Sequence, residues 1–382
     1  MKNFVLKQYA KDKKFKIKHN YLSEQFKNSK QIINKILDVV NYNDFTLGRY
    51  VDILEDRFAK LLKVKYAIGV GSGTDAIFLS LKAMGVKEGD EVITPTFSFY
   101  ATSGAIATTG AKPVFVDINE DLNIDVSLIE KAITSKTKAI VPVHWSGRIC
   151  DIKAIKKIAK KYSLFIVEDA CHAITAHDDK KQFAGTFGDV GCFSFHPLKN
   201  LNVWGDGGII TTNSSKLNRK LRLLRNHGLQ SRDNCEIYGY NSRLDTIQAA
   251  VALEMLKKIN HITQSRIRNA NFLNKHLSKI SEIKIIVEPE NYKSVFHLYQ
   301  FYSSKRDSLN RYLHKYGIDS KIHYPIPLHM HKSAKIFNYK KGDFKNAEQL
   351  TKNIISLPIH EFITNKQLVF MVNCIKGFHN EN

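Results

Sequence analysis

Residues 66–85 read YAIGVGSGTDAIFLSLKAMG: a short apolar run, a turn of glycine and hydroxyl residues, then a segment with helical spacing. The unit decides the fold because its pattern recurs. EVITP (91–95), KPVFVDI (112–118), KAIVPVH (138–144), LFIVED (164–169), VGCFSF (190–195) and GGIITT (207–212) follow, with helical stretches such as IKAIKKIAKKY (152–162) between them. Continuous apolar runs of this length suit strands buried on both faces, and their alternation with helices builds crossover units. The expectation is an α/β fold, with a mostly parallel central sheet carrying helices on both faces. Ligands of such sheets bind beyond the strand C-termini.

Outward from this block, KQIINKILDVV (30–40) and VDILEDRFAKLL (51–62) read as helices packed around the sheet. After residue 213 a lysine- and arginine-rich helical stretch runs to about Lys279. IKIIV (283–287), VFHLYQFYSS (295–304), the helical SLNRYLHKYG (308–317) and IDSKIHYPIP (318–327) then indicate a smaller C-terminal α/β domain. The expected division is an N-terminal extension at 1–20 with its first dozen residues disordered, a large domain at 21–250 and a small domain at 251–382.

The 382 residues are 43% hydrophobic, enough for a substantial core. The apolar run Phe4–Leu6 falls far short of the roughly 7–15 residues of a secretory signal, and no stretch approaches the roughly 18 of a membrane helix. A cytoplasmic protein without membrane attachment is expected. The five cysteines are scattered, without the close pairs of a zinc site or disulfide framework, and read as reduced thiols. The net charge of +22 raises nucleic-acid binding, but the basic residues are spread over the whole chain without an aromatic-interleaved module. A lysine-rich composition accounts for it.

Three segments carry chemistry. In VGSGTDA, Ser72, Gly73 and Thr74 lie between a strand and a helix, where backbone amides and hydroxyls can cradle a phosphate; a capped tight turn is the simpler alternative. The segment has neither the P-loop nor the dinucleotide glycine pattern. In LFIVEDACHA, Glu168 and Asp169 end a very apolar strand, where an ionised carboxylate calls for a positive partner such as a protonated pyridine nitrogen. Helix capping by the aspartate is the alternative. In SFHPLKNLNVWGDGG (194–208), Lys199 follows a later strand among small polar groups, where desolvation can activate an amine for imine formation. The combination places a phosphate cradle, an acid and a lysine at one sheet edge.

Taken together, GSGTDA, GDEVITPTF, GAKPVFVDI, EDACHA, FSFHPLKN, GDGG, LRNHG and GYNSRLDTIQAA resemble, in order and approximate spacing, the DegT-like family of sugar aminotransferases within the fold type I pyridoxal-phosphate (PLP) enzymes. The resemblance covers nearly the whole chain. It implies that Lys199 is the catalytic lysine holding the cofactor as an imine, and that Asp169 meets the pyridine nitrogen. Ser72, Gly73, Thr74 and Ser194 would hold the phosphate, Phe99 would stack on the cofactor ring, and His172 would reach its phenolic oxygen. Singly, Phe99 also reads as a core phenylalanine and His172 as a satisfied core histidine. Asn241, in NSRLD, would reach the phosphate of a neighbouring subunit, implying a homodimer with shared active sites. From the residues alone, RLDTIQAAVALEML is an amphipathic helix start, with Arg243 and Asp245 as a surface pair.

The activity so implied is transfer of an amino group, with glutamate as the usual donor, to a nucleotide-linked keto sugar. KIHYPIPLHMHK (321–332) is similar to the HYPxPLH stretch of relatives that aminate a 3-keto sugar, which places His323 and Tyr324 at the substrate. A prolyl loop closing a strand is the alternative. A nucleotide-linked 4-keto sugar is the other substrate class. His329 and His331 lack a supporting carboxylate or thiol cluster, so no metal is expected. HWSGR (144–148) departs from the family pattern, and Trp204 adds a large ring after the lysine that either covers the sugar or packs in its loop. The rival readings are a PLP sugar dehydratase, which the presence of Lys199 disfavours, and a regulatory or binding protein that retains PLP without turnover.

Overall fold

The computed structural model describes residues 15–288 and 290–381. The disorder expected for the first dozen residues lies outside the described residues. The helices are α1 (Lys30–Asn41), α2 (Arg49–Leu62), α3 (Gly73–Ala83), α4 (Tyr100–Thr108), α5 (Ile152–Tyr162), α6 (Ser215–Arg225), α7 (Thr246–Leu256), α8 (Ile259–Leu277), α9 (Arg306–Lys315), α10 (Lys345–Asn353) and α11 (Asn365–Glu381), with shorter turns between them. Three helix starts in the large domain are capped through side chains: Ser72, Asp151 and Ser214 accept the amides of Asp75, Ala154 and Leu217. None of the described helices is long and apolar enough to cross a membrane.

The central sheet holds seven strands: β1 (Tyr66–Val70), β2 (Glu91–Pro95), β3 (Lys112–Val116), β4 (Thr137–Ile140), β5 (Phe165–Asp169), β6 (Val190–Ser194) and β7 (Gly208–Thr212). Their order is β1-β7-β6-β5-β4-β2-β3. Only β7 runs against its neighbours. The expected mostly parallel sheet is therefore present, with one reversal. That reversal positions the site. The loop from Phe195 to Gly207 leaves β6 and returns to β7 at the same edge, with Gly208 paired to both Ser194 and Val70. The ends of β1 and β6 and the Lys199 loop thus lie side by side, while Asp169 pairs with Cys192 one strand further on. Apolar clusters cover both faces: Leu54, Phe58 and Phe193 belong to one, Ile77, Leu81 and Val167 to the other.

α7 departs from the amphipathic reading. Thr246 and every residue from Ala249 to Met255 are buried, because the helix is packed against α1 and α2. Its one buried carboxylate, Glu254, is met by Lys257 at 2.7 Å. Arg243 and Asp245 do not pair either; Arg243 donates to Asn226 Oδ1.

A second, antiparallel sheet of β8 (Ile283–Ile285), β9 (Tyr299–Ser303) and β10 (Ile354–Leu357), in that order, forms the centre of the smaller unit with α9 and α11. IDSKIHYPIP contributes two isolated bridges, Ile318 to Ile17 and Lys321 to Ser356, rather than a strand, and Pro325 and Pro327 have no amide to donate. α8 spans both cores, with Ile259 and Ile262 in the large one and Ala270, Leu273 and Leu277 in the small one. Ile17 also belongs to the small core: it bridges Ile318, and the His19 amide donates to Asp319 Oδ2.

Candidate active site

At the C-terminal end of β1 the chain turns sharply into α3. Ser72 Oγ accepts the Asp75 amide at 3.0 Å and donates to Asp75 Oδ2 at 3.0 Å. The glycine at 73 is demanded by its neighbours: a Cβ there would lie 2.6 Å from Ser194 Cβ and 3.0 Å from Cys171 Sγ. Gly208 is held as tightly, with 2.4 Å to Ser72 O. The α3 start, Ser194 and Cys171 are thereby gathered around one point, with Thr74 exposed beside it. Free amides at a helix start, with serine and threonine hydroxyls beside them, suit a phosphate.

Asp169 is buried at the end of β5. Thr102 Oγ1 donates to its Oδ2 at 2.7 Å, Ser98 Oγ lies 2.8 Å behind Thr102, and the Cys171 amide donates to its Oδ1 at 3.2 Å. No helix follows, so Asp169 is not a helix cap. Its neighbour Glu168 is wholly buried and satisfied: its carboxylate accepts the amides of Gly185, Phe187 and Gly188 and the Nε2 proton of His144 at 2.8 Å. Among the described residues no cation forms an ion pair with Asp169. A buried carboxylate with two neutral donors and no ion pair has room for a cationic ring nitrogen.

Lys199 stands on the β6–β7 loop, its amide bonded to His196 O at 2.8 Å. Burial lowers the pKa of its amine, while Cys171 and Asp169 act in the opposite direction. A desolvated lysine near an acid that does not form an ion pair with it is suited to act as nucleophile and base. His196, three residues before it, is also held below the ordinary histidine range by burial and by Lys199.

His172 is buried, and burial, then Lys199 and His323, hold its ring far below the ordinary histidine range. The Ser146 amide donates to its Nδ1 at 3.2 Å, which leaves Nε2 carrying the proton of the neutral ring. His297 lies against it, tilted by 39° with 4.2 Å between centroids, and its Nδ1 lies 3.3 Å from Asn200 Oδ1, next in sequence to Lys199. The ring is thereby held with Nε2 as its hydrogen-bond donor.

Phe99 immediately precedes α4 with 40% of its surface exposed, too much for a core phenylalanine. Its ring faces Tyr100 and Tyr324, at 4.3 and 5.8 Å. Tyr324 also meets the buried Trp145 edge-on at 5.7 Å. His323 Nδ1 lies 3.0 Å from Ser356 Oγ, and burial, aided by His19, Lys321 and Lys199, lowers its pKa to about 3. Phe99, His172, His323 and Tyr324 thus border one region with Lys199. Trp204 has its backbone tied to Gln248 and its ring edge-on to Phe26 at 5.6 Å, with 38% of its surface exposed. Asn241 is exposed, one residue before Ser242, whose carbonyl accepts the Gly71 amide at 3.0 Å. His329 is buried between Thr96 Oγ1 and Glu348 Oε1, and no group of metal-ligating side chains is present among the described residues.

Sequence reading did not single out Thr102, Ser98, His297, Gln300 or Tyr21. Tyr21 accepts from Arg266 at 2.8 Å and donates to Lys199 O at 3.4 Å. These residues touch the site across separations that no local periodicity reports; only HWSGR, by departing from a pattern, signalled one such region.

The chain matches the model of the DegT/DnrJ/EryC1/StrS aminotransferase family over residues 27–376. It is 40% identical over 362 residues to a Geobacillus stearothermophilus protein named pleiotropic regulatory protein, covering 94% of this chain and 97% of that one. It is 39% identical over 346 residues to the UDP-N-acetyl-3-dehydro-alpha-D-glucosamine 3-aminotransferase of Acidithiobacillus ferrooxidans, covering 90% and 92%. The crystal structure of DesV from Streptomyces venezuelae superposes with a TM-score of 0.91 at 33% identity, covering 94% of this chain and 97% of that one.

Proposed function

Because the chain belongs to the DegT/DnrJ/EryC1/StrS aminotransferase family, whose members are PLP-dependent sugar aminotransferases, we propose that it transfers an amino group from glutamate to a nucleotide-linked 3-keto sugar. The observation that carries this reading is the buried Asp169, with no ion pair among the described residues, within electrostatic reach of the desolvated Lys199 beside the Gly73 cradle. Asp169 would hold the ring nitrogen, the α3 start with Ser72, Gly73, Thr74 and Ser194 the phosphate, His172 the phenolic oxygen and Phe99 the ring face. Bound there, the cofactor supplies an electron sink that no side chain offers.

Lys199 then serves as base and acid. Its Nζ takes the α-proton of the amino donor, and in the second half-reaction delivers a proton during formation of the amino sugar. The lowered pKa keeps the amine in its basic form nearer neutral pH. Names of relatives support the 3-keto assignment: besides the Acidithiobacillus enzyme, a transaminase of dTDP-3-amino-3,6-dideoxy-alpha-D-galactopyranose is 37% identical. The contacts of Tyr324 with Phe99 and the electrostatic reach of Lys199 to His323 support the HYPIP reading. A homodimer with shared sites is supported by the exposed Asn241 beside the cradle turn and by the exposed apolar residues Ile33, Leu37, Val40 and Tyr42 on and after α1. Sedimentation equilibrium checks it.

The name of the Geobacillus relative favours one second reading, a PLP-retaining regulator. One experiment separates the two. The protein is purified with PLP and glutamate is added while the cofactor absorbance is followed, with Lys199→Ala alongside. Conversion to the pyridoxamine form in the wild type and none in the variant is expected. Cofactor binding without response to any amino donor leaves the regulator, and failure to bind PLP removes both.

A further inference from the structure

The departure at HWSGR acquires a role in the structure. Trp145 is wholly buried, and its ring contacts three others: Phe97 at 4.8 Å, His172 at 4.9 Å and Tyr324 at 5.7 Å. Its Nε1–H donates to Gln300 Oε1 at 2.9 Å, and Gln300 Nε2–H donates to the carbonyl of His323 at 2.7 Å. Gln300 lies on β9 and is itself buried, so both of its polar ends are committed to these two partners. The indole is anchored from behind, its backbone amide donating to Asn123 Oδ1 at 3.0 Å.

The anchored segment has little else of its own. Residues 321–327 form no strand, and Pro325 and Pro327 give no amides. The ties of His323 are the Gln300 bond to its carbonyl, the Ser356 contact of its ring and the His19 ring at 5.3 Å; the Tyr324 ring is placed by contacts with Phe99, Tyr100, His323 and Trp145. We infer that Trp145 and Gln300 are positioning residues for the keto-sugar side of the site, holding the His323–Tyr324 segment so that the sugar is received and the amino donor is not affected. The inference rests on the aminotransferase reading above. Its logic is one of reach: neither polar end of Gln300 is bonded to Lys199, Asp169 or the phosphate cradle, whereas one is bonded to the residue pair that faces the larger substrate.

The two half-reactions of transamination can be measured separately, which makes the claim testable on the intact holoenzyme. Gln300→Leu keeps the volume and removes both hydrogen bonds, orphaning the indole N–H and the His323 carbonyl. Leaving such groups unpaired predicts a loss of roughly 10- to 100-fold in kcat/KM for a keto sugar, carried mainly by KM. The sugar probes are UDP-N-acetyl-3-dehydro-glucosamine and a dTDP-linked 3-keto-6-deoxyhexose, and calorimetric affinity for the same compounds is expected to weaken in parallel. The rate at which glutamate converts the cofactor absorbance is expected to match the wild type. Trp145→Phe keeps a ring against His172 and Tyr324 but loses the N–H, so it is expected to show a smaller defect on the sugar side only. It carries the test alone if Gln300→Leu does not fold. Equal slowing of both half-reactions, or unchanged kinetics and affinity for the sugars that the wild type accepts, overturns the inference. A wild type that responds neither to glutamate nor to any keto sugar overturns the functional reading instead.

Discussion

Replacing Gly73 by alanine puts the cradle itself to the test. The added Cβ meets Ser194 Cβ at 2.6 Å, Cys171 Sγ at 3.0 Å and Ser194 Cα at 3.1 Å. Ser194 is locked into β6 by its pairing with Gly208, so the start of α3 must retreat by roughly 0.8 Å to reach an ordinary contact near 3.4 Å. Overpacking of this kind costs about 1–3 kcal/mol. If the cost falls on the arrangement that receives the phosphate, PLP affinity weakens by roughly 5- to 140-fold, at 1.4 kcal/mol per decade. The assay is titration of the apoprotein with PLP by absorbance, beside urea unfolding of the same apoprotein. Lower PLP affinity with a folded apoprotein is the expected result. Unchanged affinity with a destabilised apoprotein places the phosphate away from Gly73, and no change in either quantity refutes the steric argument.

Glu55 accepts from Arg222, Arg225 and the Gly69 amide beneath β1, so Glu55→Gln leaves Arg225 buried without its charge partner. Urea unfolding is expected to show a loss of about 3–5 kcal/mol, and less than about 1 kcal/mol would mean that the arginines find other partners. His19, His323 and His360 are each held near pKa 3, chiefly by burial. An unfolded chain binds protons on these rings below about pH 6.5 that the folded chain refuses until near pH 3, so stability falls as pH drops through that window. His360→Gln, which keeps a donor for Lys18 O, is expected to flatten the pH dependence of the urea midpoint; an identical slope would contradict the assignment. Of the five thiols, Cys150, Cys192 and Cys374 are buried, and burial and Asp169 push the Cys171 thiol well up. Iodoacetamide at pH 8 is therefore expected to modify the exposed Cys235 alone at an early time, and rapid labelling of Cys171 by mass spectrometry would show that its surroundings are wetter than this.

The central sheet was readable because each of its strands is an apolar run bounded by turn residues, as in YAIGV and LFIVED. The reversal of β7 was not, since GGIITT has the same composition whichever way it runs. In the small domain β10 and the helices α10 and α11 went unassigned, and IDSKIHYPIP promised more regularity than two prolines allow. Motif order located Lys199, Asp169, His172 and the 72–74 turn, and the structure brings them to one edge. Thr102 on Asp169, His297 on His172 and Gln300 under His323 come from segments 67, 125 and 23 residues away from their partners. Such contacts are products of the fold and leave no periodic trace. Trp204 was conspicuous in the sequence, but its edge-on contact with Phe26 was not legible there.

The pairing of Ile17 with Ile318 has a consequence for how the molecule is made. The hydrogen bond from His19 to Asp319 joins residues 300 positions apart, so the segment around Ile17 is synthesised long before Ile318 and Asp319 exist for it to pair with. At about 5–20 residues per second, that interval is roughly 15–60 s. Throughout it Ile17, buried in the finished protein, lacks the Ile318 that it bridges there. Lys199 and Arg266, the two partners of Tyr21, follow it by 178 and 245 residues, so both are on the chain before Asp319 is. The segment that brings Tyr21 to the Lys199 loop is thereby seated on the small core only after Ile318 and Asp319 have been made.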